Sequence, residues 1–105
     1  MNSSMKDMSD TGINPTVLSQ ITQLAQKYNI GKVILFGSRA RGDYKRVSDI
    51  DLAVTGGDVI GFTLAVDEET DTLLEYDVVN LDKSVQEELT VEIQKEGRLL
   101  YEKIR

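Results

Sequence analysis

KVILFGSRARGDYKRVSDIDLAV, residues 32–54, decides the fold of this chain. Its first five residues form a short apolar run rich in β-branched and aromatic side chains, which reads as a buried strand. Gly37-Ser38 closes that run. Residues 39–46 hold Arg39, Arg41, Lys45 and Arg46, and are expected to start as a short helix before looping. Residues 49–54 (DIDLAV) then alternate acid with apolar side chains, the period-two pattern of a strand with one special face. In a strand, residues i and i+2 share a face, so Asp49 and Asp51 lie side by side while Ile50 and Leu52 turn to the core.

Upstream, Asn14 as N-cap and Pro15 at the first helical position announce a helix, since proline there forfeits no hydrogen bond. Val17, Ile21, Leu24, Ala25 and Tyr28 recur at helical spacing, and Asn29 and Gly31 end the segment. The first thirteen residues are small and polar and are expected to form a disordered tail before one domain spanning 14–105. Downstream, Gly56-Gly57 is a turn, and residues 59–74 permit a helix through Phe62, Val66 and Leu73. Its exposed face is acidic, with Asp67, Glu68, Glu69 and Asp71, which suits solvent or a basic partner. Residues 76–81 (YDVVNL) make a third strand with Asp77 inside an apolar run. Ser84 and Glu87 form a capping box ahead of a helix carrying Val85, Leu89 and Ile93, closed by Gly97. Residues 98–102 are left open between a final strand and a tail. The fold class is α/β: a small mixed sheet flanked by helices.

Composition excludes several chemistries. The chain has 105 residues, no cysteine and no histidine, which removes disulfides, thiolate metal sites and histidine-based nucleophilic catalysis. A metal held here needs oxygen ligands, which selects Mg²⁺, Mn²⁺ or Ca²⁺. A net charge of −6 argues against direct binding of nucleic acid, which rests on neutralising phosphates, and is compatible with a basic protein partner. No segment is apolar enough to span a bilayer, and the cysteine-free composition fits a cytoplasmic location.

The acids carry the chemistry. A lone Asp-x-Asp is an ordinary exposed strand face, and Gly-Ser alone is an ordinary strand-to-helix turn. Two carboxylates held close repel each other unless a cation lies between them. If the strand bearing Asp77 neighbours the one bearing Asp49 and Asp51, three carboxylates converge, the composition of a two-metal site that clamps the oxygens of an in-line displacement. Gly37 lacks a Cβ, so a phosphate can approach the backbone, and Ser38 adds a hydroxyl donor. Arg39 and Arg41 lie close in sequence to this turn and could balance triphosphate charge; Lys45 and Arg46 read better as a solvated face. Ser48 reads as structural. An EF-hand starting at Asp49 fails because Val54 and Ile60 stand where Gly and Glu are required. A Walker A loop fails because Asp43 follows Gly42.

Gly37-Ser38, ten residues, then Asp49-x-Asp51 resembles the signature of the DNA polymerase β-like nucleotidyltransferase superfamily. The longer string GSRARGDYKRVSDIDLAV is similar to the minimal nucleotidyltransferases (MNT) encoded beside HEPN-domain proteins in toxin–antitoxin pairs. The resemblance implies a polymerase β-like fold and Mg²⁺-dependent transfer of AMP from ATP to a hydroxyl. It matches Asp49, Asp51 and Asp77 to the metal-binding carboxylates, and Gly37 and Ser38 to the triphosphate turn. It also implies a partner, a HEPN toxin silenced by adenylylation, with a tyrosine as acceptor in several members. So small a domain leaves no room for an acceptor-binding module, so the acceptor is expected on a separate protein or across a homo- or hetero-oligomeric interface. The alternative is an antitoxin that neutralises its toxin by binding alone. A subunit that modifies nucleic acid is disfavoured by the charge.

Overall fold

The structure is a computed structural model that describes residues 8–104. Helix α1, Pro15–Lys27, starts as the sequence requires: the Asn14 side chain accepts from the Thr16 N–H at 2.8 Å, with Pro15 just inside the helix. Val17, Ile21, Leu24 and Ala25 form its buried face, and Asn29 ends it in the left-handed conformation at φ 59°.

Strand β1, Lys32–Phe36, lies inside a four-stranded sheet. It is followed by the single helical turn α2, Ser38–Arg41, and by β2, Ile50–Thr55, which runs antiparallel beside β1. Helix α3, Val59–Glu69, crosses to β3, Tyr76–Asn80, which lies parallel to β2. Helix α4, Glu87–Glu96, leads to β4, Arg98–Glu102, antiparallel to β1 on its other side. The order β3-β2-β1-β4 makes the sheet mixed, and residues 98–102 are a strand rather than a tail.

The sheet has two unequal faces. Val33, Leu35, Ile50, Leu52 and Val54 point to α1 and α3 and, with Phe62 and Ile21, make the main core. Phe36, Ala53 and Ile93 form a smaller cluster under α4, joined by Val79 and Leu89. Asp51 and Asp77, in alternation with the core residues, lie on this second face with Ala53 and Val79.

Three boundaries differ from the sequence reading. Residues 9–13 pack onto the domain: Ser9–Thr11 form a 3₁₀ turn, and Thr11 and Ile13 are buried, so order begins before Asn14. Residues 1–7 of the expected tail lie outside the described residues. Helix α3 ends at Glu69, and Leu73, placed on its apolar face, is fully exposed at 103%. The stop is local: the Thr70 hydroxyl donates to the Val66 carbonyl at 2.6 Å and shares a hydrogen bond with the Tyr76 hydroxyl at 2.8 Å. The capping box does not form, because the N-cap is Gln86, without a side-chain cap, and the helix begins at Glu87, two residues too late for Ser84 to cap it. Glu87 and Glu88 instead place acid in the first turn, where the helix dipole favours it.

Candidate active site

The site is assembled where β1 ends. Gly37 has φ 78° and ψ −158°, a region essentially closed to residues with a side chain. A Cβ there would overlap Oδ2 of Asp51, so the carboxylate sits directly against the turn. The amides of Ser38, Arg39 and Ala40 precede the first bond of α2, from Arg41 N–H to the Gly37 carbonyl at 3.1 Å. Such leading amides are the donors that an anion can meet at a turn. With only four residues α2 has little dipole of its own, so any attraction for phosphate rests on those donors and nearby cations.

Asp51 and Asp77 are direct neighbours across the parallel β2–β3 pair. Ile50 and Leu52, on the opposite face, are fully buried, which fixes the acids on the α4 side. Asp49 is exposed and immediately precedes β2. The Asp51 carboxyl is pushed up to about 6, first by its burial and then by the charges of Asp77, Asp49 and Glu92, with Arg41 acting in the opposite sense. Electrostatically, then, the three predicted acids and Glu92 converge on one point. Among the described residues no three acids close into a ready-made cage. An open cluster of mutually repelling carboxylates fits a hard divalent cation that takes its other ligands from substrate phosphates and water.

The two arginines separate. Arg39 was expected near the phosphate site, but it is 1% exposed and points into the protein. Its guanidinium donates to the carbonyls of Thr11 at 2.9 Å, Ser48 at 3.0 Å and Arg46 at 3.3 Å, and stacks 4.7 Å from the Tyr44 ring. Buried in this way, the guanidinium is not presented to a triphosphate, and it holds the loop leading to Asp49. Arg41 is on the surface, 3.2 Å from Asp43, 3.0 Å from Glu96 and 3.8 Å from Glu92. Ser48 is structural, as expected, its hydroxyl accepting from the Lys45 N–H at 2.8 Å. Lys45 and Arg46 are exposed.

Glu92 and Glu96 are the site residues that sequence reasoning missed. Their i, i+4 spacing puts both on one helix face, but nothing in the chain announces that this face meets Arg41 and Asp51.

A Gly-Ser turn pressed against carboxylates paired across neighbouring strands can receive a phosphate and a divalent cation together. The chain belongs to the polymerase β nucleotidyltransferase family: residues 19–105 match the family described as "Polymerase beta, Nucleotidyltransferase". It is 37% identical over 92 residues to a Methanocaldococcus jannaschii protein named "Putative protein adenylyltransferase MJ0604", covering 77% of this chain and 90% of the relative. The fold is similar to a crystal structure described as a toxin–antitoxin with AMP-PNP, with a TM-score of 0.63 and 26% identity over 82% of this chain and 73% of the other. A nucleotidyltransferase structure from Sulfolobus solfataricus shares the fold at a TM-score of 0.52 and 21% identity, over 96% of this chain and 93% of the other. The polymerase β-like fold and the minimal-nucleotidyltransferase resemblance are both borne out, and the chain is a nucleotidyltransferase.

Proposed function

We propose that the chain is a protein adenylyltransferase that moves AMP from ATP to a hydroxyl of a cognate HEPN toxin, a tyrosine being the expected acceptor, and thereby acts as the antitoxin. The observation that carries this reading is the Asp51–Asp77 register beside Gly37, which puts paired carboxylates against the glycine turn. The adenylyltransferase name of the relative and the AMP-PNP of the toxin–antitoxin neighbour support the same choice of nucleotide and partner.

In this reading Asp49, Asp51 and Asp77 hold Mg²⁺, or Mn²⁺ in its place, and two ions suit three carboxylates. A divalent ion held by these carboxylates would neutralise phosphate charge and lower the pKa of the acceptor hydroxyl. The backbone amides of the Gly37-Ser38 turn and the Ser38 hydroxyl orient the triphosphate. Arg41, now shared among three carboxylates, turns toward the phosphates. Asp77, on the outermost strand, faces the incoming acceptor and takes its proton. The acceptor oxygen forms a bond to the α-phosphorus as the bond from that phosphorus to the β-phosphate bridging oxygen breaks, and pyrophosphate leaves. One compact domain supplies the nucleotide half of the site, and the acceptor arrives on a separate protein in the cytoplasm.

Mass spectrometry of the purified toxin after incubation with ATP and Mg²⁺ tests this. Added adenylate with the wild-type chain and none with Asp49→Ala/Asp51→Ala is the expected result. No adenylate with the wild-type chain, or equal addition by the double variant, refutes it. Toxin neutralisation that survives the double variant would point to inhibition by binding alone.

A further inference from the structure

Helix α3 is apolar on both sides. Val59, Phe62, Ala65 and Val66 fill the core, yet Ile60 and Leu64, one turn apart on the outer face, are 67% and 60% exposed. A helix that is apolar all round is normally covered on both sides. Between α3 and β3 runs a cleft of about 250 Å³ whose lining includes Ile60, Leu64, Val78 and, at its polar end, Lys83. Three and four residues beyond Leu64, on the same helix face, come Asp67 and Glu68, followed by Asp71, all exposed. The outer surface is therefore apolar for about two turns and then strongly acidic. It adjoins β3, which carries Asp77 and, among the described residues, has no strand on its outer side.

We propose that the outer face of α3 and the free edge of β3 form the docking surface for the acceptor-bearing protein, which presents an apolar ridge flanked by Lys or Arg. The inference rests on the transferase reading for what that partner carries. Three features select this occupant. The exposed Ile60 and Leu64 ask for apolar cover, and the acids beyond them ask for cations. The position supplies the third: a partner seated against β3 lies about one strand spacing, ~4.8 Å, from the line of Asp77, and two from that of Asp51. Asp77 lies on the opposite sheet face from α3, so a hydroxyl of a partner docked there reaches the carboxylates around the edge of β3. The acids also steer a basic partner to this edge before contact is made.

The test is a calorimetric titration of the full chain with the purified cognate toxin, without nucleotide, at two salt concentrations. Leu64→Asp, with Ile60→Asp as a second variant should the first melt early, is expected to weaken binding by about tenfold or more. Asp67→Lys/Glu68→Lys is expected to weaken it by about fivefold and to flatten its salt dependence. Binding within about twofold of wild type for both the apolar and the charge variants overturns the proposal, as does a wild-type chain that does not bind the toxin. A wild-type dimer that Leu64→Asp converts to a monomer, with toxin binding unchanged, identifies the occupant as a second copy and also overturns it. AMP transfer, measured on the same samples, separates the two readings. Binding that depends on Leu64 without any transfer refutes the catalytic reading and leaves the surface in place. Transfer by the wild type with unchanged binding by Leu64→Asp refutes the surface alone.

Discussion

Asp51→Asn should make the metal-free protein more stable while abolishing nucleotidyl transfer. The native carboxyl sits at about 6 against an ordinary 3.8, because burial and the neighbouring charges of Asp77, Asp49 and Glu92 all oppose its ionisation. A shift of about 2 units corresponds to about 3 kcal/mol at ~1.4 kcal/mol per unit. Asp51 is only partly buried, so solvent screening reduces that to about 1–1.5 kcal/mol. The sign follows from proton counting: the native carboxyl binds a proton between pH 3.8 and about 6 that the unfolded chain releases. Its contribution therefore falls as pH rises through that window and stays low above it. Asparagine carries no such charge. Urea denaturation in the presence of EDTA should show wild type and variant nearly equal near pH 4, with the variant about 1–1.5 kcal/mol more stable above pH 6.5. In a domain of this size that is a rise of roughly 5–10 °C in Tm. Mg²⁺ with ATP should raise the Tm of the wild type and not that of the variant, by ligand linkage. A variant equal to or less stable than wild type across the whole pH range would refute the claim that the carboxylates repel one another on this face.

Gly37→Ala must place a side chain at φ 78° where Asp51 Oδ2 already stands; it should cost about 2–3 kcal/mol in urea denaturation and eliminate transfer by displacing that carboxylate. Arg39→Met removes three charge-assisted hydrogen bonds from a buried position and should destabilise the fold by about 3 kcal/mol, while Arg39→Lys, unable to span three carbonyls, should recover only part of that loss in the same assay. Arg41→Ala breaks exposed ion pairs and should leave the urea midpoint close to that of wild type, yet raise the KM for ATP by about tenfold in steady-state transfer assays.

Where periodicity and turn chemistry agreed, the elements were legible in the sequence. The Asn14-Pro15 start, the apolar run of β1, the alternation of β2 and the acid within β3 each stand where the residue types require, and they bring Asp51 beside Asp77. Pattern failed where a side chain does two jobs. Arginine so seldom lies buried that Arg39 read as a surface cation; only the fold reveals the carbonyls of Thr11, Arg46 and Ser48 gathered around it. The end of α3 was hidden because its apolar residues mark no single face, so Leu73 looked like one more turn. Ser84 and Glu87 had capping-box spacing, but the helix starts two residues later, which leaves Ser84 outside it and Glu87 at its first position. The approach of Glu92 to Asp51 depends on how α4 crosses the sheet, which no local pattern encodes.

The ten-residue spacer between Ser38 and Asp49 has a physical basis that joins these points. The chain leaves the sheet at Gly37, makes one helical turn, and must re-enter as β2 antiparallel to β1 with Phe36 opposite Asp51. A slip of one residue would send Asp49 and Asp51 into the core and turn Ile50 and Leu52 outward. Burial of Ile50, Leu52 and Val54 opposes that slip from within the sheet. Arg39 opposes it from the loop, because its bonds to the carbonyls of Arg46 and Ser48 fix the two residues that bracket the last bend before Asp49. The bond to the Thr11 carbonyl ties this loop in turn to the packed residues ahead of α1. One arginine thus links the N-terminal turn, the spacer and the entry of β2, and the carboxylates keep their register although they repel. The energy that Asp51 costs the fold is held in place by contacts that never touch the substrate.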